Sequence, residues 1–274
     1  MHDLRRPLTR VLVAVDLSPA AFMVLDRAAR LPLERGSSLS LLQVVPEASH
    51  PSADERGAAV ARARRELETF AERLARRVGG GVEIFSSVVV GTPFEEIVRR
   101  AHEDAAEVVL LGRHGLRTFA DALIGSTAER VLRKGSTPAL IIDGRSERPY
   151  RRILLAADLS ETSRVAAALA LRVLHAHDPE VRVIHADDGR AWDVTSGMLR
   201  FLEPFQGAGV RWDVVDRRGD ARTVILEDAA AWKPDLLVLG THGRSKVTQQ
   251  LLGSVADAVI RAAPCDVLVA RAPA

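Results

Sequence analysis

Glu107-Val-Val-Leu-Leu-Gly112-Arg-His-Gly115 is followed, after nine intervening residues, by Gly125-Ser126-Thr127. The arrangement returns as Asp235-Leu-Leu-Val-Leu-Gly240-Thr-His-Gly243 and, after nine more residues, Gly253-Ser254-Val255. Each copy opens on a short apolar run of strand type, crosses a glycine-spaced loop and reaches a Gly-Ser pair that starts a helical pattern. Free N–H groups and the positive end of the dipole at such a helix start favour an anion such as phosphate. The spacing matches neither the Gly-Lys-Ser/Thr phosphate loop nor the Gly-x-Gly-x-x-Gly dinucleotide fingerprint. Two copies at one spacing argue against coincidence.

The repeat extends along the chain. Arg10-Val-Leu-Val-Ala-Val-Asp16-Leu-Ser18 returns as Arg152-Ile-Leu-Leu-Ala-Ala-Asp158-Leu-Ser160. Asp16 and Asp158 lie 142 positions apart and Gly112 and Gly240 lie 128 apart, so the second half is 14 residues shorter between these landmarks. The shortening is expected in the loop and helix after the second strand. Strands are expected near 10–16, 39–45, 82–90, 107–112 and 139–143, and again near 152–158, 181–186, 210–216, 235–240 and 266–271. Continuous β-branched and leucine runs suit parallel strands covered on both faces. Between them, stripes such as Phe22, Leu25 and Ala29, or Val60, Leu67, Phe70 and Leu74, mark the buried faces of helices. Alternating strands and helices predict two open, doubly wound α/β domains, over residues 1–146 and 147–274, joined by the polar linker 145–150.

Bulk properties narrow the function classes. The 274 residues are 47% hydrophobic and 27% charged, with a net charge of +2, which fits globular domains and excludes a disordered chain. No apolar run approaches the ~20 residues of a membrane span, and residues 11–15 are too short for a signal peptide. A cytoplasmic location and no membrane partner are therefore expected. The single Cys265 rules out an internal disulfide and reads as a buried structural thiol. Arginines 62, 64, 65, 73, 76 and 77 alternate with Glu66, Glu68 and Glu72, as on a solvated helix face with Arg62 four residues from Glu66. They lack interleaved aromatics, so no nucleic-acid partner is expected.

In open α/β sheets ligands sit at the carboxyl ends of the strands. Asp16 and Asp158 close the first strand of each half, and Gly112 and Gly240 the fourth. Two readings of the aspartates stand side by side: they support the turn into the next helix, or they accept from a ribose hydroxyl or hold a cation between phosphates. Ser126 and Ser254 have three roles open: capping the helix, donating to a phosphate, or each in turn. His114 and His242 occupy matched loop positions, but nothing in the sequence sets an activating partner beside them, so loop hydrogen bonding is preferred to catalysis and no catalytic residue is assigned. Arg113, Arg117, Arg244 and Lys246 either add positive potential for a phosphate or belong to a solvated loop.

The pattern G-x2-G-x9-G-(S/T) after a fourth strand, with an aspartate closing the first, resembles the universal stress protein family, in its ATP-binding branch, in two tandem copies. That resemblance implies Rossmann-like domains of the adenine nucleotide alpha hydrolase type, each an open five-stranded parallel sheet of order 3-2-1-4-5 with helices on both faces. It implies ATP, with magnesium as the expected companion, at the carboxyl edge. In the first half Asp16 lies by ribose and phosphates, the backbone of Val44 by adenine, and Gly112, Gly115, Gly125, Ser126 and Thr127 around the phosphates. In the second half Asp158, Gly240, Gly243, Gly253, Ser254 and Val255 match directly, and Ala186 stands where the family usually has valine. Gly91-Thr-Pro93 is a common family feature, whereas Gly219-Asp-Ala221 lacks its proline. The family also implies pairing of domains through the last strand, here Ala139–Ile142 with 267–270 inside one chain, and a homodimer of chains with a further protein partner. A regulatory, nucleotide-dependent role in the stress response follows. Its rivals are a slow ATPase or ATP-dependent transferase, and an interaction protein that binds no nucleotide.

Overall fold

The computed structural model describes residues 6–16, 18, 20–50, 52–113, 124–144, 148–174, 179–187, 194–241 and 252–271. It divides into two compact units, Pro7–Glu147 and a second built from Arg148 onward. In the first unit the order is β1 (Leu8–Val15), α1 (Ala20–Ala28), β2 (Leu33–Pro46), α2 (Ala53–Ala75), β3 (Glu83–Gly91), α3 (Pro93–Glu103), β4 (Val108–Gly112), α4 (Ser126–Lys134) and β5 (Ala139–Ile142). A single 3-10 turn, Glu47–Ser49, follows β2. In the second unit it is β6 (Arg152–Ala156), α5 (Glu161–Val173), β7 (Glu180–Asp187), α6 (Val194–Leu202), β8 (Arg211–Arg218), α7 (Ala221–Trp232), β9 (Leu236–Gly240), α8 (Ser254–Ala262) and β10 (Asp266–Ala270). No described helix is long and apolar enough to cross a membrane.

Both units are α/β folds around a parallel sheet. In the first, β1 lies between β2 and β4, β3 pairs outside β2 and β5 outside β4. In the second, β6 lies between β7 and β9, with β8 outside β7 and β10 outside β9. Val108, Leu110, Leu140, Leu154, Leu237 and Val267 are fully buried. That is why the central strands read as unbroken apolar runs: both faces are covered and neither tolerates a polar side chain. β3 and β8, by contrast, hold no buried residue.

The same carboxylate device aligns the sheet in both units. Glu107, just before β4, accepts from the backbone N–H groups of Thr9 (2.6 Å) and Arg10 (3.2 Å) and from the Thr9 hydroxyl (2.9 Å). Asp235, just before β9, accepts from the N–H groups of Arg151 (3.0 Å) and Arg152 (2.9 Å). Each pins the start of the first strand of its unit beside the start of the fourth. That register brings the carboxyl ends of the two strands level, where a ligand site is expected.

Local signals place the helix starts. Ser52 and Glu55 form a reciprocal capping box at α2. Pro93 opens α3, and Asp220 caps α7 by accepting from the Thr223 N–H at 3.1 Å. The shortening of the second half falls where expected, since α2 has 23 residues and its counterpart α6 has 9. One strand departs from expectation. β2 begins at Leu33 rather than near 39, because Leu8 pairs with Leu33 ahead of a register shift before Arg10 pairs with Ser38.

Tyr150 ties the start of the second unit to its last strand. Its hydroxyl donates to Asp266 Oδ2 at 2.7 Å, and the two side chains are 2% and 1% exposed. Tyr150→Phe removes a donor from a buried carboxylate and lowers the stability of this unit by about 1–3 kcal/mol. Urea unfolding of the intact chain reads this as an earlier midpoint; an unchanged midpoint contradicts it.

Candidate functional site

A cavity of about 590 Å³ opens at the carboxyl edge of the first unit's sheet. Its walls include Asp16 from the end of β1, Val44 from β2, Gly112 from the end of β4 and Gly125, Ser126 and Thr127 from the start of α4. Six of the seven first-half positions singled out in the sequence thus meet in one cavity. The seventh, Gly115, lies outside the described residues, as do His114 and Arg117.

The helix start is built by one backbone bond. Gly125 N–H donates to the carbonyl of Arg113, just past β4, at 2.7 Å. Gly125 is the residue flanking the helix, with φ −61° and ψ 143°, and no side chain caps it. The first helical bond runs from Glu129 N–H to Gly125 O at 3.0 Å. The helix therefore offers no acceptor to the N–H groups of Ser126, Thr127 and Ala128, which line the cavity. Ser126 stands inside the helix and does not cap it in this structure. Polar donors and the helix dipole converge on one spot, an arrangement that attracts anions.

At the end of β1, Asp16 Oδ1 accepts from the Ser18 N–H (3.1 Å) and the Ser18 hydroxyl (2.5 Å). The turn-supporting role is therefore real, and the residue lines the cavity as well. Elsewhere the walls hold residues that the motif did not flag. Gln43 is 4% exposed and its Oε1 has no hydrogen-bond partner among the described residues. Phe94 and Pro93 come from the start of α3, and Arg62, His50 and Arg130 add basic groups. Arg62 was expected on a solvated helix face; it is exposed and also borders the cavity. Arg130 sits one turn into α4.

Arg113 takes neither of its expected roles. Its guanidinium bonds Asp143 Oδ1 at 2.7 Å, with the two side chains 2% and 3% exposed. It is a buried ion-pair partner holding the β4 and β5 ends together, where removing one member would strand the other charge. The second unit has Thr241 at this place, 1% exposed.

The second unit repeats the backbone frame and changes the walls. Gly253 N–H donates to the Thr241 carbonyl at 2.9 Å, and no side chain caps α8. Ser254 and Val255 begin the helix, and Gly240 closes β9. A Cβ on Gly240 would lie 2.7 Å from Thr162 Cγ2, and one on Gly253 2.9 Å from the Thr241 carbonyl oxygen. Close approach, not an unusual backbone angle, is what demands glycine at 253, where φ is −61°. Asp158 Oδ1 accepts from the Ser160 N–H (3.1 Å) and the Ser163 hydroxyl (2.6 Å). Ala186 lies in β7. Its neighbour His185, 5% exposed and at the position of Gln43, is held by Asp216 at 2.9 Å through Nδ1. Gly243, His242, Arg244 and Lys246 lie outside the described residues.

Comparison with known proteins finds relatives along the whole chain. The model of the universal stress protein family matches residues 7–143 and 149–271. The chain is 28% identical, over 232 residues, to a universal stress protein of Mycobacterium tuberculosis strain H37Rv, covering 76% of each chain. It is 31% identical over 145 residues to one of Methanocaldococcus jannaschii, covering 46% of this chain and 85% of that one. The crystal structure of a universal stress protein from Archaeoglobus fulgidus superposes with a TM-score of 0.76 at 22% identity, covering 96% of this chain and 98% of that one. This last likeness speaks to the fold.

Gly253→Ala pushes the helix start away from the Thr241 carbonyl and costs about 1–3 kcal/mol, the range for overpacking a well-packed site. A lower thermal midpoint without any ligand is the expected reading. An unchanged midpoint would mean that the close approach is not what fixes this glycine.

Proposed function

This chain belongs to the universal stress protein family, and we propose that it binds ATP at the carboxyl edge of its sheets and acts as a nucleotide-dependent regulator in the cytoplasm. The observation that carries the reading is the meeting of Asp16, Val44, Gly112, Gly125, Ser126 and Thr127 around one cavity. Its volume of about 590 Å³ lies in the ~300–1,000 Å³ range of small-molecule sites.

The roles follow from position. The backbone of Val44 borders the cavity on the β2 side and offers main-chain groups to adenine. Asp16, at the end of β1, accepts from the ribose or helps to hold a phosphate-bound cation. The N–H groups of Ser126, Thr127 and Ala128, with the Ser126 hydroxyl, take the phosphates. Asp16 is the one carboxylate among the described residues lining the cavity. No group of three or more His, Cys, Asp or Glu that could hold a metal gathers among the described residues. Magnesium therefore enters chiefly on the phosphates, as is usual for that ion. The second unit carries the same backbone frame and takes a nucleotide with different walls. Regulation requires that ATP bind one conformation better than another.

Nucleotide released by denaturing the freshly purified protein, identified by mass spectrometry, tests the reading, with calorimetry counting sites on added ATP. An adenine nucleotide is expected. None released and none bound would overturn the proposal. All three tryptophans, Trp192, Trp212 and Trp232, lie in the second half. A fluorescence change on adding ATP would therefore mostly report the second half, while calorimetry counts the sites in both.

A further inference from the structure

We propose that Arg130, set against Phe94, together with Arg62, makes the first site selective for nucleoside polyphosphates over monophosphates, and that the second site lacks this selectivity. The inference rests on the reading of the cavity as a nucleotide site. Both arginines line that cavity. The Arg130 guanidinium carbon lies 5.3 Å from the centre of the Phe94 ring, within the distance at which a cation is held by an aromatic face. Arg130 is carried on α4, the helix whose first turn presents its N–H groups to the cavity. Arg62 reaches the cavity from α2, on another wall.

The cavity thus carries two guanidinium groups against the single carboxylate of Asp16 among its described lining residues. One phosphate is served by the helix start alone. A longer phosphate chain brings further negative charge that the helix start does not neutralise, and planar guanidinium groups are suited to it. Both cations are exposed, so their contribution is screened by salt.

Among the described residues, the second unit does not repeat this arrangement. The offset of 128 residues places Ala258 at the position of Arg130 and Arg222 at that of Phe94. Arg222 lies 3.9 Å from Asp220. The helix that carries Arg62 is the one cut from 23 residues to 9. Among the described residues, the repeated frame keeps the uncapped helix start and does not repeat the Arg130–Phe94 pair.

Calorimetric titration of the full chain with ATP and with AMP, for the native protein and for Arg130→Ala and Arg62→Ala, tests this. Each variant weakens ATP at the tighter site by about tenfold, the size of one charge-assisted hydrogen bond, and leaves AMP within about twofold. The ATP penalty shrinks as salt is raised. Phe94→Leu gives a smaller loss in the same direction, because it frees the Arg130 side chain without removing its charge. Equal losses for ATP and AMP, or no loss for either, would overturn the selectivity while leaving nucleotide binding intact. A native protein that binds neither nucleotide overturns both. Unfolding temperatures within a degree or so of the native protein confirm that the exposed substitutions leave the fold unchanged.

Discussion

One backbone hydrogen bond organises each half of this protein. A carbonyl just past the fourth strand, that of Arg113 or Thr241, accepts the N–H of the glycine that opens the following helix. The bond holds the helix start close to the end of the strand. It leaves the first-turn N–H groups of the helix without a helical acceptor. A side chain at the glycine would crowd that carbonyl, as the second unit shows at Gly253. The glycine and the strand end recur together because both are needed for the same close approach.

The two halves keep this frame and diverge in their walls. Both align the first and fourth strands with a carboxylate, Glu107 or Asp235, at the opposite end from the site. Both turn the first strand into its helix on an aspartate, Asp16 or Asp158, with one carboxylate oxygen taking two donors. Where the first unit has a buried glutamine whose Oε1 has no partner among the described residues, the second has a histidine held by Asp216. Where the first buries the Arg113–Asp143 pair, the second has Thr241. The backbone frame is shared by the two units, and the side chains around it differ.

Much of the fold was legible in the sequence because its central strands are covered on both faces, so nearly every position must be apolar. The repeat added a second witness to each element. The start of β2 was less legible. Residues 34–36 are Glu-Arg-Gly, which read as a loop, yet Leu33 pairs with Leu8 before a register shift. The glycine motif located one wall of the cavity because backbone constraints leave a mark at fixed spacing. The remaining walls left none. Arg62, Phe94 and Arg130 arrive from three different helices, each with an ordinary amphipathic pattern. Arg113 looked like a loop cation because its partner, Asp143, is 30 residues away and shows only once β4 and β5 are side by side.

The central claim is that uncapped N–H groups at the start of α4 hold the phosphates of ATP. Amide NMR of the intact chain, with serine and threonine labelled, tests it most directly. The account predicts that ATP shifts the amide signals of Ser126 and Thr127 strongly and that of Thr69, far along α2, hardly at all. ATP binding with Ser126 and Thr127 unmoved would contradict it.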